Sequence, residues 1–221
     1  MARMARVVVP YYPHHVTQRG NRRQQTFFSE EDHKVYLELL AKAKDMSDVE
    51  VLAYCLMPNH VHLVVVPRRD DSLASFFSEA HRRYTRRINF REGWRGHLWQ
   101  ERFHSFVMDE QYLLATVRYI ELNPVRARLC DRPEEWTWSS VHAHLAGKDD
   151  MLVSVKPMLE RINNWQNFLA TYESSEELTT IRRHSRTGRP AGNEGFLDKL
   201  EAMTGRSFRR AKTGPKPKII K

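Results

Sequence analysis

Met57-Pro58-Asn59-His60-Val61-His62-Leu63-Val64-Val65-Val66 is the stretch on which the fold turns. Beyond its Pro-Asn pair it is rich in β-branched residues, so it reads as a strand from His60 to Val66, closed by Pro67. A strand alternates its faces with period two. His60 and His62 therefore share one face, while Val61, Leu63 and Val65 share the other. Val49 to Leu56 reads as a preceding strand, and Pro58-Asn59 joins the two as a tight antiparallel hairpin. Two imidazoles aimed together from a rigid strand are well placed to hold one metal ion. Taken alone, they could equally be hydrogen-bonded strand histidines.

Working outward, His14 to Gly20 reads as a strand ending at a glycine turn. Glu30 to Met46 carries Val35, Leu39, Leu40 and Ala43 at helical spacing, with Ser29 as the N-cap. Ser72 to Phe90 is a second helix, with Leu73, Phe76, Phe77, Ala80, Tyr84 and Ile88 on one stripe. Phe103 to Met108 is a fourth strand. Asp109 or Glu110 opens a third helix that stops near Asn123-Pro124. The order is β-α-β-β-α-β-α, an α+β chain with the split βαβ, ferredoxin-like (RRM-like) antiparallel sheet and a trailing helix. Beyond it, Trp136 and Trp138 read as an aromatic clasp before a helix start at Ser139-Ser140. Val155 to Tyr172 reads as a helix. Ser174 to Arg189 is polar and basic and reads as a linker. Phe196 to Met203 is a short amphipathic helix, and Lys212 to Lys221 is a Lys/Pro-rich tail expected to be disordered.

Composition narrows the function. The chain has 221 residues, 41% hydrophobic and 29% charged, as a soluble globular protein does. No apolar run approaches the ~18 residues that span a bilayer, and the apolar run after the basic N-terminus is too short for a signal peptide. The expected location is the cytoplasm, at the nucleoid. Cys55 and Cys130, the only two cysteines, read as reduced thiols. The net charge of +9 favours polyanions, above all nucleic acid. Residues 174–221 hold 12 Lys+Arg against 5 Asp+Glu, so most of the excess lies in the tail.

Tyr119 and Asn123 stand four apart on the third predicted helix and so share a face. Leu113, Val117 and Ile120 form its apolar stripe, which leaves Tyr119 and Asn123 on another side. Asn123 offers an amide oxygen, a hard ligand. Two imidazoles and an amide oxygen suit Mg²⁺ or Mn²⁺ better than a closed zinc site.

These residues resemble a known family. His60-Val61-His62 is similar to the HUH signature (His, bulky apolar, His) of single-strand DNA endonucleases and transposases. MPNHVHLVV, LWQERFHSF, YIELNPVRA and WTWSS, in that order, resemble the REP-associated tyrosine transposases, relatives of the single-tyrosine insertion-sequence transposases. The resemblance covers residues 8 to 145. It implies His60 and His62 as metal ligands, Asn123 as the third, Tyr119 as the nucleophile, and a Mg²⁺ or Mn²⁺ cofactor. The implied enzyme is a metal-dependent DNA endonuclease and strand transferase. It would bind hairpin DNA, cleave single strands and rejoin them through a 5′-phosphotyrosine. Free tyrosine titrates near ~10, so the attacking phenol needs help in losing its proton. The chain is expected to be a monomer or a homodimer, and the resemblance implies that an active site can be shared between chains.

A basic DNA-processing chain also predicts DNA contacts. Gln18, Arg19, Arg22 and Arg23 follow the first strand. Arg82, Arg83, Arg86 and Arg87 line the second helix, and Arg126 and Arg128 lie just past the third. Each arginine could instead be a solvated surface charge. The expected division is a catalytic domain at 1–146, a helical extension at 147–173 and a basic linker, short helix and tail at 174–221. Two other readings stand beside this one. One is a structured-DNA or RNA binding protein that does not cut. The other is a metallohydrolase that uses water in place of Tyr119.

Overall fold

β1 (His14–Arg19), β2 (Val49–Met57), β3 (His60–Pro67) and β4 (His104–Val107) form one sheet in a computed structural model that describes residues 5–171 and 173–209. The strand order is β2-β3-β1-β4, and every neighbouring pair is antiparallel. With α1 (Glu30–Ser47), α2 (Ser72–Glu92) and α3 (Glu110–Glu121), the element order is the predicted β-α-β-β-α-β-α. Both predicted starts hold. The Asp32 N–H donates to Ser29 Oγ at the head of α1, and the Tyr112 N–H donates to Asp109 Oδ1 at the head of α3.

α1 and α2 cover one face of the sheet. Val16, Val61, Leu63 and Val65 meet Tyr36, Leu40, Phe76, Phe77 and Tyr84 there. Each fully buried Phe or Leu contributes about 1.5–3 kcal/mol of transfer free energy. α3 covers the other face, where Val64, Val66 and Phe106 meet Leu113, Val117 and Ile120. β3 is thus buried on both sides, which is why its apolar run is nearly continuous.

Both sheet edges are covered, so neither offers a bare ladder to another chain. Along β2, the Leu56 N–H donates to the Trp138 carbonyl and Trp136 Nε1 to the Leu56 carbonyl. This is the aromatic clasp, and Ser140 precedes α5 (Val141–Ala146). Along β4, the Ala191 N–H donates to the Val107 carbonyl.

The chain after α3 departs from expectation in three places. α3 ends at Glu121, and α4 (Asn123–Arg126) follows as a separate turn, so Asn123 is not on the tyrosine helix itself. The single helix expected over Val155 to Tyr172 is two, α6 (Lys156–Leu159) and α7 (Trp165–Ala170). The Asn164 side chain accepts from the Asn167 N–H and starts the second afresh. Tyr172 and the expected tail over 212–221 lie outside the described residues.

The stretch read as a linker is α8 (Ser175–Thr187), opened by a reciprocal Ser174–Glu177 capping box and ended by Gly188 at φ 69°. α9 (Glu194–Thr204) packs Leu200 against Val7 and Val9.

Candidate active site

Strand register builds the floor of the site. Arg19 on β1 pairs with His60, and Thr17 pairs with both His62 on β3 and His104 on β4. Directly paired residues project from the same face, so these side chains stand together on the α3 side of the sheet. Tyr119 from α3 and Asn123 from α4 complete one cleft of about 510 Å³ with them. The His62 and Tyr119 ring centroids are 5.8 Å apart, and those of His60 and His62 are 4.9 Å apart. Tyrosine and histidine pair meet within one chain. Tyr119 is 7% exposed and Asn123 9%, so both are more deeply set than a surface helix face implies.

The imidazoles are held through Nδ1. His60 Nδ1 lies 2.6 Å from Asn59 Oδ1, and His62 Nδ1 lies 2.9 Å from His15 Nε2. An amide oxygen only accepts, so His60 carries its proton on Nδ1 and keeps a lone pair on Nε2. Burial, with the Arg19 charge adding to it, pushes the His60 pKa down to about 4. Burial and then the neighbouring His60, His15 and Arg126 hold His62 well below the usual range. Both rings are neutral, the form that binds metals.

Asn123 fits as a third donor. Its amide nitrogen is buried and makes no hydrogen bond among the described residues. No group of three His, Cys, Asp or Glu suited to a metal exists among the described residues. Asn123 brings an amide oxygen to the same cleft, and two neutral imidazoles with a hard oxygen suit a divalent cation.

The expected DNA-contacting residues separate into groups. Arg19 is exposed and lines the cleft. Arg22 and Arg23 are exposed in the turn after β1, both in the left-handed region at φ 53° and 63°. Asn59 Nδ2, from the hairpin turn beside His60, donates to the Arg23 carbonyl. Gln18 is only 2% exposed, and its amide nitrogen donates to the Gln100 carbonyl, which fixes the loop before β4. Its side chain is thus committed inward. Arg82, Arg83, Arg86 and Arg87 line a shallow depression with Phe90 on α2, across the sheet from the cleft. There Arg82 and Arg83 both pair with Glu79 of their own helix.

Arg128 is exposed, beside a groove that Leu129 and Glu135 also line. Arg126 faces the protein. Its guanidinium pairs with Glu173 at 2.6 Å, donates to the Tyr119 carbonyl and lies 4.3 Å from the Tyr119 ring centroid. The expectation that it contacts DNA gives way to a place over the phenol.

Sequence reasoning missed several members of the site. His15 carries His62, and α8 supplies a wall through Arg182, Ser185 and Arg186. It also passed over Glu121, two residues after Tyr119. That carboxylate is fully buried and accepts from Ser140 Oγ (2.6 Å), His144 Nδ1 (2.6 Å) and Trp165 Nε1 (2.8 Å). These bonds pin the end of the tyrosine helix to α5 and α7.

Residues 8–123 match the family described as transposase IS200 like. A protein of Escherichia coli (strain K12), described as a REP-associated tyrosine transposase, is 24% identical over 127 residues, 57% of this chain and 73% of that protein. A relative from Haemophilus influenzae is 28% identical over 104 residues, 42% of this chain. The match spans only 59% of that relative's length. The fold is shared with a solved structure of a REP-associated tyrosine transposase bound to a REP hairpin. That similarity has a TM-score of 0.58 and 22% identity, over 70% of this chain and 92% of that one. Among the described residues, no helix is long and apolar enough to cross a membrane. The family match takes in β1, the histidine pair, Tyr119 and Asn123, over just over half of the chain, and the chain belongs to the IS200-like transposase family.

Proposed function

We propose that this chain is a metal-dependent single-strand DNA endonuclease and strand transferase acting beside DNA hairpins, with Tyr119 as its nucleophile. The observation that carries this reading is the convergence of Tyr119, His60, His62 and Asn123 on one cleft. The hairpin preference rests on the similarity to REP-associated tyrosine transposases, one of which has been solved with a REP hairpin. The site of action is then cytoplasmic DNA.

Arg19, Arg182 and Arg186 rim the cleft and draw the phosphate backbone toward it. The Tyr119 oxygen attacks the scissile phosphorus. A phosphotyrosine forms on the 5′ side, the P–O3′ bond breaks, and the phenol proton ends on the departing 3′ oxygen. The Arg126 guanidinium over the ring favours the negative charge that develops on the phenol as its proton leaves. His60, His62 and Asn123 would hold Mg²⁺ or Mn²⁺, which when bound supplies positive charge to a non-bridging phosphate oxygen. The covalent link conserves the phosphodiester energy, so a later 3′-OH can attack and reseal the strand.

The test compares Tyr119→Phe and His60→Ala on single-stranded hairpin DNA with Mn²⁺. Loss of cleavage in both is expected. Cleavage retained by Tyr119→Phe and lost by His60→Ala would make water the nucleophile. Tight binding by the wild type with no cleavage would make the chain a binding protein.

A further inference from the structure

His15 and Ser185 come from opposite ends of the chain and meet behind the histidine pair. Ser185 Oγ lies 3.2 Å from His15 Nδ1, and His15 Nε2 lies 2.9 Å from His62 Nδ1. The His15 and His62 rings stack at 5.2 Å with a 14° tilt. Phe106 closes on the edge of His15, also at 5.2 Å. His15 is 1% exposed, so its ring has no water to turn toward.

Two arrangements of protons satisfy this row, because a serine hydroxyl donates as well as accepts, and one of them leaves His62 open to a metal. In that one, Ser185 Oγ accepts from His15 Nδ1–H. His15 Nε2 then carries the lone pair that accepts from His62 Nδ1–H. That leaves the His62 lone pair on Nε2, matching His60, whose own Nδ1–H goes to Asn59. With the opposite His15 tautomer, His15 would donate to His62. The His62 lone pair would then be consumed on Nδ1, and the proton would stand on Nε2, where a metal must bind. Metal-bound histidines generally have the second ring nitrogen held in this way, and loss of that partner weakens metal binding.

We infer that His15 is a positioning residue of the metal centre, and that Ser185 on α8 accepts the His15 Nδ1 proton in the tautomer that presents the His62 lone pair on Nε2. The inference rests on the metal reading of His60 and His62 proposed above. It gives α8 a definite task, although that helix lies outside the matched residues 8–123.

The experiment uses the full chain without DNA. Long-range ¹⁵N–¹H spectra of the histidine rings report tautomers directly in metal-free protein. Calorimetric titration with Mn²⁺ reports affinity. The wild type should show the Nδ1–H form at both His15 and His62. His15→Phe keeps the ring packing and removes the acceptor, and should weaken Mn²⁺ binding on the order of 10–100-fold. His15→Gln, which keeps an acceptor, should recover part of that loss. Ser185→Ala should mix the His15 tautomers and weaken Mn²⁺ binding less.

A His15 signal in the Nε2–H form in the wild type would overturn the inference. Wild-type Mn²⁺ affinity in both His15→Phe and Ser185→Ala would also overturn it. If His15→Phe fails to fold, Ser185→Ala decides alone, because it alters only a half-buried hydroxyl. A wild type that takes up no Mn²⁺ removes the metal reading itself. A wild type that binds, with variants that bind equally, removes this inference and leaves that reading intact.

Discussion

The Arg126 guanidinium lies over the Tyr119 ring, 4.3 Å from its centroid, while its other contacts are the Glu173 carboxylate and the Tyr119 carbonyl. A cation over the phenol face acts on the proposed nucleophile, and its hydrogen bonds are directed to protein. Arg126→Gln should therefore slow covalent adduct formation on the order of 10-fold or more in single turnover. Affinity for hairpin DNA should be nearly unchanged. Equal losses in adduct rate and in binding would reassign Arg126 to a phosphate contact.

The exposed turn after β1 carries the opposite expectation. Changing both Arg22 and Arg23 to Ala should weaken binding to all DNA sequences alike. The slope of log affinity against log salt should become shallower by about 1.5–2. The same double change at Arg82 and Arg83 should cost less, because Glu79 already pairs with both. Filter binding across a salt series separates the pairs. An unchanged slope for the Arg22 and Arg23 variant would remove them from the DNA interface.

Glu121 holds the end of the tyrosine helix by three buried hydrogen bonds. Glu121→Ala strands the His144, Ser140 and Trp165 donors in a dry interior and should destabilise the fold by about 3–5 kcal/mol. Urea unfolding measures it. A loss of under about 1 kcal/mol would mean that water replaces the carboxylate.

Acid should weaken the fold before it titrates the carboxylates. Burial pushes His14 down to about 4 and His15 down to about 3, against 6.5 for an ordinary histidine. The His14 bonds agree, since Nδ1–H donates to the Tyr12 carbonyl and Nε2 accepts from the Val9 N–H. Both rings are neutral when folded, so the unfolded chain takes up protons first as the pH falls. This contribution is complete above pH 6.5 and is lost as the pH falls from there toward 4, at up to about 1.4 kcal/mol per pH unit for each histidine. Urea midpoints measured from about pH 7.5 down to about pH 5 should fall steadily. A flat profile would mean that these rings reach water.

The fold core was legible because periodicity marked it. The β3 run, the α2 stripe and the Ser29 cap each have a local cause that acts within a few residues. The histidine pair and Tyr119 were legible for a related reason, since their spacings place them on defined faces. His15 was not, because its role appears only when β1 pairs with β3 and Thr17 falls beside His62. Nothing local separates His15 from His14, which is an ordinary buried histidine. α8 was misread as a linker because its polar sequence buries only Ile181 fully. The Ser174–Glu177 capping box was the available signal. Arg126 was placed on the DNA by its charge, and its contacts with Glu173, 47 residues away, and with Tyr119 turn it inward.

The central claim is that Tyr119 becomes covalently joined to DNA. The direct measurement incubates the full chain with hairpin-bearing single-stranded DNA and Mn²⁺, digests the denatured adduct with protease and sequences the nucleotide-bearing peptide by mass spectrometry. The account predicts a 5′-phosphate ester on Tyr119, absent from Tyr119→Phe. Cleaved DNA with no adduct, or an adduct on another residue, would contradict it.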